Sequence, residues 1–234
     1  CLAIVAAPIA AWMLHQRTIK IKKRFHVLNV LYLVLGIGSA VFHATLGSFG
    51  QNMDEVVMLW TVVQIVWIGR QKKIGRDHKL TVTSAAENYA LMASALSSSL
   101  VVVLSRGKAQ IAVFHILFVS FSTLAAFLIF CKHFLDLNTT TPALHRVFCV
   151  SSASFIFGIV CWEIDYNFCG NGIVSFLNLH ACWHIMVGVG LYNLWIYLVF
   201  KDLKTATSSK MMEIKHDWNI IMPRIHMKTL HRES

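Results

Sequence analysis

Long apolar stretches alternate with short polar connections along most of this chain. The stretches are too continuous to be strands of a membrane barrel, in which apolar and polar residues alternate over about 10 residues. Their length predicts membrane-spanning helices instead, because a helix satisfies its backbone hydrogen bonds within one segment. We place seven segments, at Cys1–Leu14, His26–Leu46, Glu55–Gly69, Ala85–Leu104, Gln110–Cys131, Leu144–Trp162 and Val174–Phe200.

The first segment is shorter than a bilayer requires. At 1.5 Å per residue, Cys1–Leu14 reaches about 21 Å, against a hydrocarbon core of roughly 30 Å. No basic region precedes it, which disfavours a signal peptide, and we expect it to be the remainder of a truncated first helix. The predicted fold class is all-α: a polytopic seven-transmembrane helical bundle over residues 1–200, followed by a polar, basic tail over residues 201–234.

Composition and charge support a membrane protein and indicate its orientation. The chain is 56% hydrophobic and only 14% charged, whereas soluble domains carry about 25% charged residues. The net charge of +10 does not indicate nucleic-acid binding, because the basic residues lie in short loops beside apolar segments. Of the 21 Lys and Arg residues, only Arg106 and Lys108 fall in the loops predicted on one side. By the positive-inside rule, the other side, with the tail, is cytoplasmic.

Histidines interrupt two of the apolar segments, and serine and aspartate accompany them. Ser39 and His43 stand four residues apart near the end of the second segment, and His180 and His184 have the same spacing in the seventh. Asp54 lies where the third segment begins. Residues four apart share one face of a helix. The predicted topology brings all five groups to one depth, toward the lumenal side.

Three neutral imidazoles that leave a fourth position for water are typical of a catalytic zinc site. The ordinary alternative is that each histidine donates a hydrogen bond between helices, which is the commoner role of a lone membrane histidine. His115 fits that alternative, whereas His43, His180 and His184 favour a metal site through their spacing and shared depth.

Three further carboxylates fall near the same side of the predicted membrane. Glu163 and Asp165 close the sixth segment, where water or a helix cap could accommodate them. Asp165 is also at the right depth to accept a hydrogen bond from a metal-binding histidine, although a structural role is favoured. Glu55 points about 100° away from Asp54 on a helix and is interpreted as a packing partner.

Taken together, these motifs closely resemble the alkaline ceramidase family. The resemblance rests on four pieces, which run from the second segment to the seventh: Ser39-x-x-x-His43, Gln51-x-x-Asp54-Glu55, Trp162-Glu163-Ile164-Asp165 with Phe168-Cys169, and His180-x-x-Trp183-His184. Motifs in separate helices agree in residue type, spacing and order, which makes the resemblance specific.

The resemblance implies a seven-helix enzyme of endoplasmic reticulum or Golgi membranes that hydrolyses ceramide to a sphingoid base and a free fatty acid. Carried over, His43, His180 and His184 would bind Zn²⁺, and Ser39 and Asp54 would contact the zinc-bound water. The family is also expected to bind Ca²⁺ through an acidic lumenal segment and an early glutamate of the first helix. Neither is in this sequence, so Cys169 would have lost a disulfide partner there.

The implied chemistry is amide hydrolysis with zinc-bound water as the nucleophile. Zinc lowers the pKa of bound water and polarises the carbonyl. Asp54 would act as general base and then as general acid toward the leaving amine, and Ser39 would orient the water or donate to the oxyanion. Ceramide would enter laterally from the bilayer, because its amide lies near the interface.

Two other functions remain open on the sequence. A related lipid hydrolase of the GPI-remodelling type would share the His and Asp residues but bring a cysteine-rich lumenal N-terminal domain. The Gln51-x-x-Asp54-Glu55 piece favours the ceramidase over it. A seven-helix receptor or transporter would spread its ionisable groups through the whole depth of the bundle, whereas here they gather toward one face.

Overall fold

The computed structural model describes residues 21–73, 80–81, 84–137, 140–168, 170, 172–206, 212–215 and 223–227. Helices dominate this part of the chain, as predicted. They are α1 (Lys23–Thr45), α2 (Ser48–Arg70), α3 (Ala85–Leu104), α4 (Lys108–Leu135), α5 (Pro142–Phe168), α6 (Gly172–Leu177) and α7 (Leu179–Ala206). Two short antiparallel pairs join β1 (Lys72–Lys73) to β2 (Leu80–Thr81) and β3 (Met212–Lys215) to β4 (Arg224–Met227).

Five of the described helices, α1, α3, α4, α5 and α7, are long and apolar enough to cross a membrane. The all-α, multi-pass membrane fold is thereby confirmed. Helix α2 is not among these five, because its first two turns carry the polar residues Gln51, Asn52, Asp54 and Glu55. The predicted first segment, Cys1–Leu14, lies outside the described residues, so a total of seven spans stays a prediction.

Helices α2 and α5 extend beyond their predicted segments into stretches where the side chains become polar. Helix α2 begins at Ser48, with Gly47 as its N-cap, so Asp54 lies inside the helix and does not cap it. Helix α5 continues to Phe168, which places Glu163 and Asp165 within helical turns. Glu163 and Asp165 thus lie in the last two turns of α5, near the helix end where they were predicted. A helix can continue where its side chains turn polar, because its backbone hydrogen bonds do not depend on an apolar side chain.

The predicted seventh segment is broken at Asn178, which separates α6 from α7. Its φ of 48° lies in the left-handed region, which asparagine tolerates better than most residues. The Asn178 carbonyl accepts hydrogen bonds from the amides of Ala181 (3.0 Å) and Cys182 (3.3 Å). Helix α7 therefore starts at this break, and His180 lies in its first turn.

One compact unit comprises residues 26–139. Within it α2 packs against α3 and α4, around a core that includes Leu59, Val102 and Phe114. The start of α2 also lies close to the end of α1. A Cβ atom at Gly50 would stand 2.7 Å from the Phe42 Cα, so only glycine permits this approach of the two backbones.

The other compact unit comprises residues 1–25 and 140–234, and its centre is the packing of α5 against α7. A Cβ atom at Gly190 would meet the Phe155 ring at 3.2 Å. The Ser151 hydroxyl donates a hydrogen bond of 2.9 Å to the Gly190 carbonyl. The second half of α7 is buried, including Trp195, and the Trp195 indole N–H donates to the Phe25 carbonyl at 3.5 Å.

The described residues of the tail pack onto helices of their own unit. Helix α7 runs to Ala206, past the predicted boundary at residue 200. Strands β3 and β4 contact α5 and α7, respectively. The buried Tyr192 hydroxyl donates a 2.9 Å hydrogen bond to the carbonyl of Pro223, and Ile225 is also buried. Part of the predicted polar tail thus packs on the helices.

Candidate metal centre

His180 and His184 lie on one face at the start of α7, as their spacing predicted. Their ring centroids are 4.8 Å apart and the two planes meet at 76°. His184 is buried and His180 is half-buried. The adjacent Trp183 stacks on Trp162 of α5, with ring centroids 5.5 Å apart, which holds this turn of α7 against α5. The two imidazoles are thus presented by a packed helix and not by a loop.

The structure places the Asp165 carboxylate beside this pair. The Asp165 Oδ2 atom lies 3.6 Å from the Nδ1 atom of His180. Glu163, two residues earlier, instead accepts hydrogen bonds from the side-chain amide of Asn167, on its backbone carbonyl and on its carboxylate. Cys169, whose disulfide pairing the resemblance raised, lies outside the described residues.

Helices α1 and α2 bring together the other predicted groups. His43 lies in the last turn of α1 and is exposed, whereas Ser39, one turn earlier, is 1% exposed. The Ser39 hydroxyl hydrogen-bonds to the carboxylate of Asp54 on α2. A Cβ atom at Gly38 would meet the Met53 backbone at 3.2 Å, so the helices nearly touch here. Asp54 is therefore held at the part of α1 that carries His43.

The three predicted ligands form a group that could hold a metal ion. Nitrogen atoms of His43, His180 and His184, one from each ring, all lie within 4.8 Å of one another. Three imidazoles are also the ligand set of a catalytic zinc site with an open fourth position, so the residues fit the implied metal.

A buried polar network lies one residue beyond Asp54. The Glu55 carboxylate accepts hydrogen bonds of 2.8 Å from the side-chain amides of Gln51 and Gln110. The Gln110 side-chain amide also donates to the side-chain oxygen Oδ1 of Asn52 at 3.0 Å. This agrees with the interpretation of Glu55 as a packing partner. Gln110 was not among the predicted site residues, and its one signal in the sequence is that it is a polar residue opening an apolar segment.

Comparisons with known proteins agree with the motifs. A model of the Ceramidase family matches residues 1–226. The protein named "Putative alkaline ceramidase dcd3A" of Dictyostelium discoideum is 29% identical, over 89% of this chain and 76% of its own. The Drosophila melanogaster alkaline ceramidase is 24% identical, over 92% of this chain and 73% of its own. Mouse alkaline ceramidase 1 is 20% identical, over 96% of this chain and 81% of its own.

The helices and the histidine cluster define a membrane protein with a group of residues suited to a metal ion. The chain belongs to the Ceramidase family. The predicted family and enzyme class, a hydrolase of the ceramidase type, are confirmed.

Proposed function

We propose that this chain is a membrane-embedded, zinc-dependent amidohydrolase that cleaves ceramide into a sphingoid base and a free fatty acid. The observation that carries the proposal is the cluster of His43, His180 and His184 in a chain of the Ceramidase family. The substrate assignment rests on the Drosophila and mouse relatives, which are named as alkaline ceramidases.

Asp54 and Ser39 have separate roles in the proposed amide hydrolysis. Bound zinc would supply a lowered water pKa and a polarised carbonyl. The Asp54 carboxylate accepts a proton from the attacking water and returns it to the amide nitrogen as the C–N bond breaks. The Ser39 hydroxyl orients that carboxylate through their hydrogen bond, and by rotating it can donate to the developing oxyanion.

The substrate reaches this site from the bilayer. Helices α3 and α4 expose large apolar side chains on much of their surface, among them Leu96, Leu100, Ile116 and Phe127. Such surfaces suit lipid contact, and a lipid with two long chains can diffuse laterally between helices. The location that accompanies this proposal is an endoplasmic reticulum or Golgi membrane, with a cytoplasmic C-terminus and the histidines toward the lumen.

Metal analysis and ceramide hydrolysis by the purified full-length protein test the proposal. The parent should carry about one zinc per chain and release fatty acid from labelled ceramide. A double variant, His180→Ala with His184→Ala, should lose both, because one imidazole cannot retain the ion. His145→Ala is the matched control, since His145 is exposed on α5 and contacts Cys149.

Two results would contradict the proposal. Stoichiometric zinc that persists in the double variant would remove these histidines from the metal site. A parent protein that carries zinc but leaves ceramide intact would remove the substrate assignment.

A further inference from the structure

Asp165 and His180 occupy matching positions on two antiparallel helices. Phe155 of α5 lies against Gly190 of α7, and seven residues later Trp162 stacks on Trp183, seven residues earlier on α7. Asp165 follows Trp162 by three residues, and His180 precedes Trp183 by three residues. These two side chains also lie beside each other. Side chains three apart lie on one helix face, so the tryptophan stack sets the register that places this carboxylate beside this imidazole.

We propose that Asp165 is a positioning residue for His180, and the inference rests on the proposed zinc function. Its carboxylate accepts a hydrogen bond from the His180 Nδ1–H, which fixes the ring orientation and leaves Nε2 to bind the metal. Metal-binding histidines usually make such a bond through their other nitrogen, and it also makes the ligating nitrogen more basic.

The distance agrees with a contact that tightens on metal binding. The 3.6 Å between Asp165 Oδ2 and His180 Nδ1 exceeds an ordinary hydrogen bond of about 2.7–3.2 Å. A movement of roughly half an ångström closes that difference. Both groups are only partly exposed, at 24% for the Asp165 side chain and 35% for His180.

The rival role for Asp165 is an ion pair that only stabilises the fold. Pairs with this exposure contribute little to stability, and such a role predicts no effect on metal affinity. Glu163 provides a matched control, because it is an exposed carboxylate on the same helix whose partner is Asn167.

Competition with a zinc chelator measures the affinity of the full-length protein and of each variant. Asp165→Ala should weaken zinc binding by about 10–100-fold. Asp165→Asn should weaken it less, because its amide oxygen still accepts the hydrogen bond but carries no charge. Glu163→Gln should match the parent. Thermal unfolding of the zinc-free proteins should be similar for all four, which separates a change in affinity from a change in folding.

Asp165→Ala that binds zinc as tightly as the parent overturns the inference. If Asp165→Ala does not fold, Asp165→Asn alone is the test. A zinc affinity of Asp165→Asn equal to that of Glu163→Gln then overturns the inference. An equal loss in Glu163→Gln also overturns it, because the effect would then not be specific to Asp165. A parent without stoichiometric zinc would instead contradict the proposed function, so the two failures are distinguishable.

Discussion

Trp162 of α5 and Trp183 of α7 stack with their ring centroids 5.5 Å apart and their planes 22° apart. A Cβ atom at Gly158, one turn before Trp162, would meet the Trp183 ring at 3.2 Å. The missing side chain therefore lets α7 approach α5 at this level. Because Trp183 adjoins His184, the stack fixes the height and rotation of the two histidines of α7.

The first prediction concerns this stack. Trp162→Leu keeps an apolar side chain but removes the ring contact, which is worth about 0.5–1.5 kcal/mol beyond buried area. We expect the free energy of unfolding in SDS to fall by about that amount, with weaker zinc binding as a consequence. Trp60→Leu, on α2, is a control that changes an indole of the other unit and should leave zinc affinity alone. Unchanged stability and zinc affinity in Trp162→Leu would contradict the role of the stack.

The second prediction concerns the buried contact between Glu55 and Gln110. Gln110→Leu removes one hydrogen-bond donor from a carboxylate that is 8% exposed, and a buried group that loses its partner costs about 1–3 kcal/mol. We expect a loss of stability in that range. The double variant Glu55→Leu with Gln110→Leu should recover part of it, because replacing both partners by apolar groups can be nearly neutral. The recovery is not complete, because Gln51 then loses its acceptor.

A double-mutant cycle on the unfolding free energies makes this measurement. The exposed pair Glu163 and Asn167 is the control, since Asn167→Ala should change stability very little. Additive losses in the Glu55 and Gln110 cycle would show that the two side chains do not stabilise each other.

Hydropathy and spacing predicted much of the candidate site, because its ligands follow simple geometric rules. Two histidines four residues apart must share a helix face, and a topology read from basic loops assigns a depth to each segment end. His43, His180 and His184 followed from these rules. Depth alone made Asp165 a possible partner of a histidine, but the sequence favoured a structural role. Its contact with His180 depends on the register of α5 against α7, which no pattern within one helix specifies.

Other features are hidden from hydropathy for local reasons. Asn178 is one polar residue in an apolar run, so nothing but its left-handed backbone marks the start of α7. Asp54 marked the beginning of a segment on the hydropathy scale, yet the helix starts two turns earlier, at Ser48. Gln110 resembles an interfacial residue until its partner Glu55 on another helix is known.

The third prediction concerns the packing of the tail. Tyr192→Phe leaves the Pro223 carbonyl without its buried donor, and an intramolecular hydrogen bond contributes about 0.5–1.5 kcal/mol net. We expect a comparable loss of stability and faster amide hydrogen exchange in β3 and β4. Tyr166→Phe is the control, because Tyr166 is 57% exposed. Exchange in β4 that is as fast in the parent as in an unfolded peptide would contradict a docked hairpin.

The fourth prediction concerns orientation. Of all the Lys and Arg residues, only Arg106 and Lys108 fall in the loops predicted to be lumenal. An N-glycosylation acceptor inserted into the connection between α3 and α4, at the end of a flexible spacer, should therefore be modified. One inserted after Ser234 should not be modified. A gel-mobility shift that is reversed by glycosidase shows whether each acceptor is modified. Modification after Ser234 but not between α3 and α4 would reverse the proposed topology.

The last prediction tests the proton transfer assigned to Asp54. Asp54 lies within α2 and its carboxylate is bonded to the Ser39 hydroxyl. An asparagine there has the same shape and its side-chain oxygen accepts the same hydrogen bond, so Asp54→Asn should fold and retain its zinc. An amide cannot accept a proton and return it, however, and losing general acid–base help typically costs about 10²–10⁴-fold in rate.

We therefore expect Asp54→Asn to lose at least about 100-fold in ceramide hydrolysis at unchanged zinc content. A purely structural Asp54 predicts near-normal turnover instead, since the asparagine preserves the contact with Ser39. Asp136→Asn, at the exposed end of α4, controls for the loss of one negative charge elsewhere. The full-length protein is the material to assay. A folded, zinc-loaded Asp54→Asn protein with activity within a few-fold of the parent would refute the catalytic assignment, because zinc and Ser39 would then suffice for the reaction.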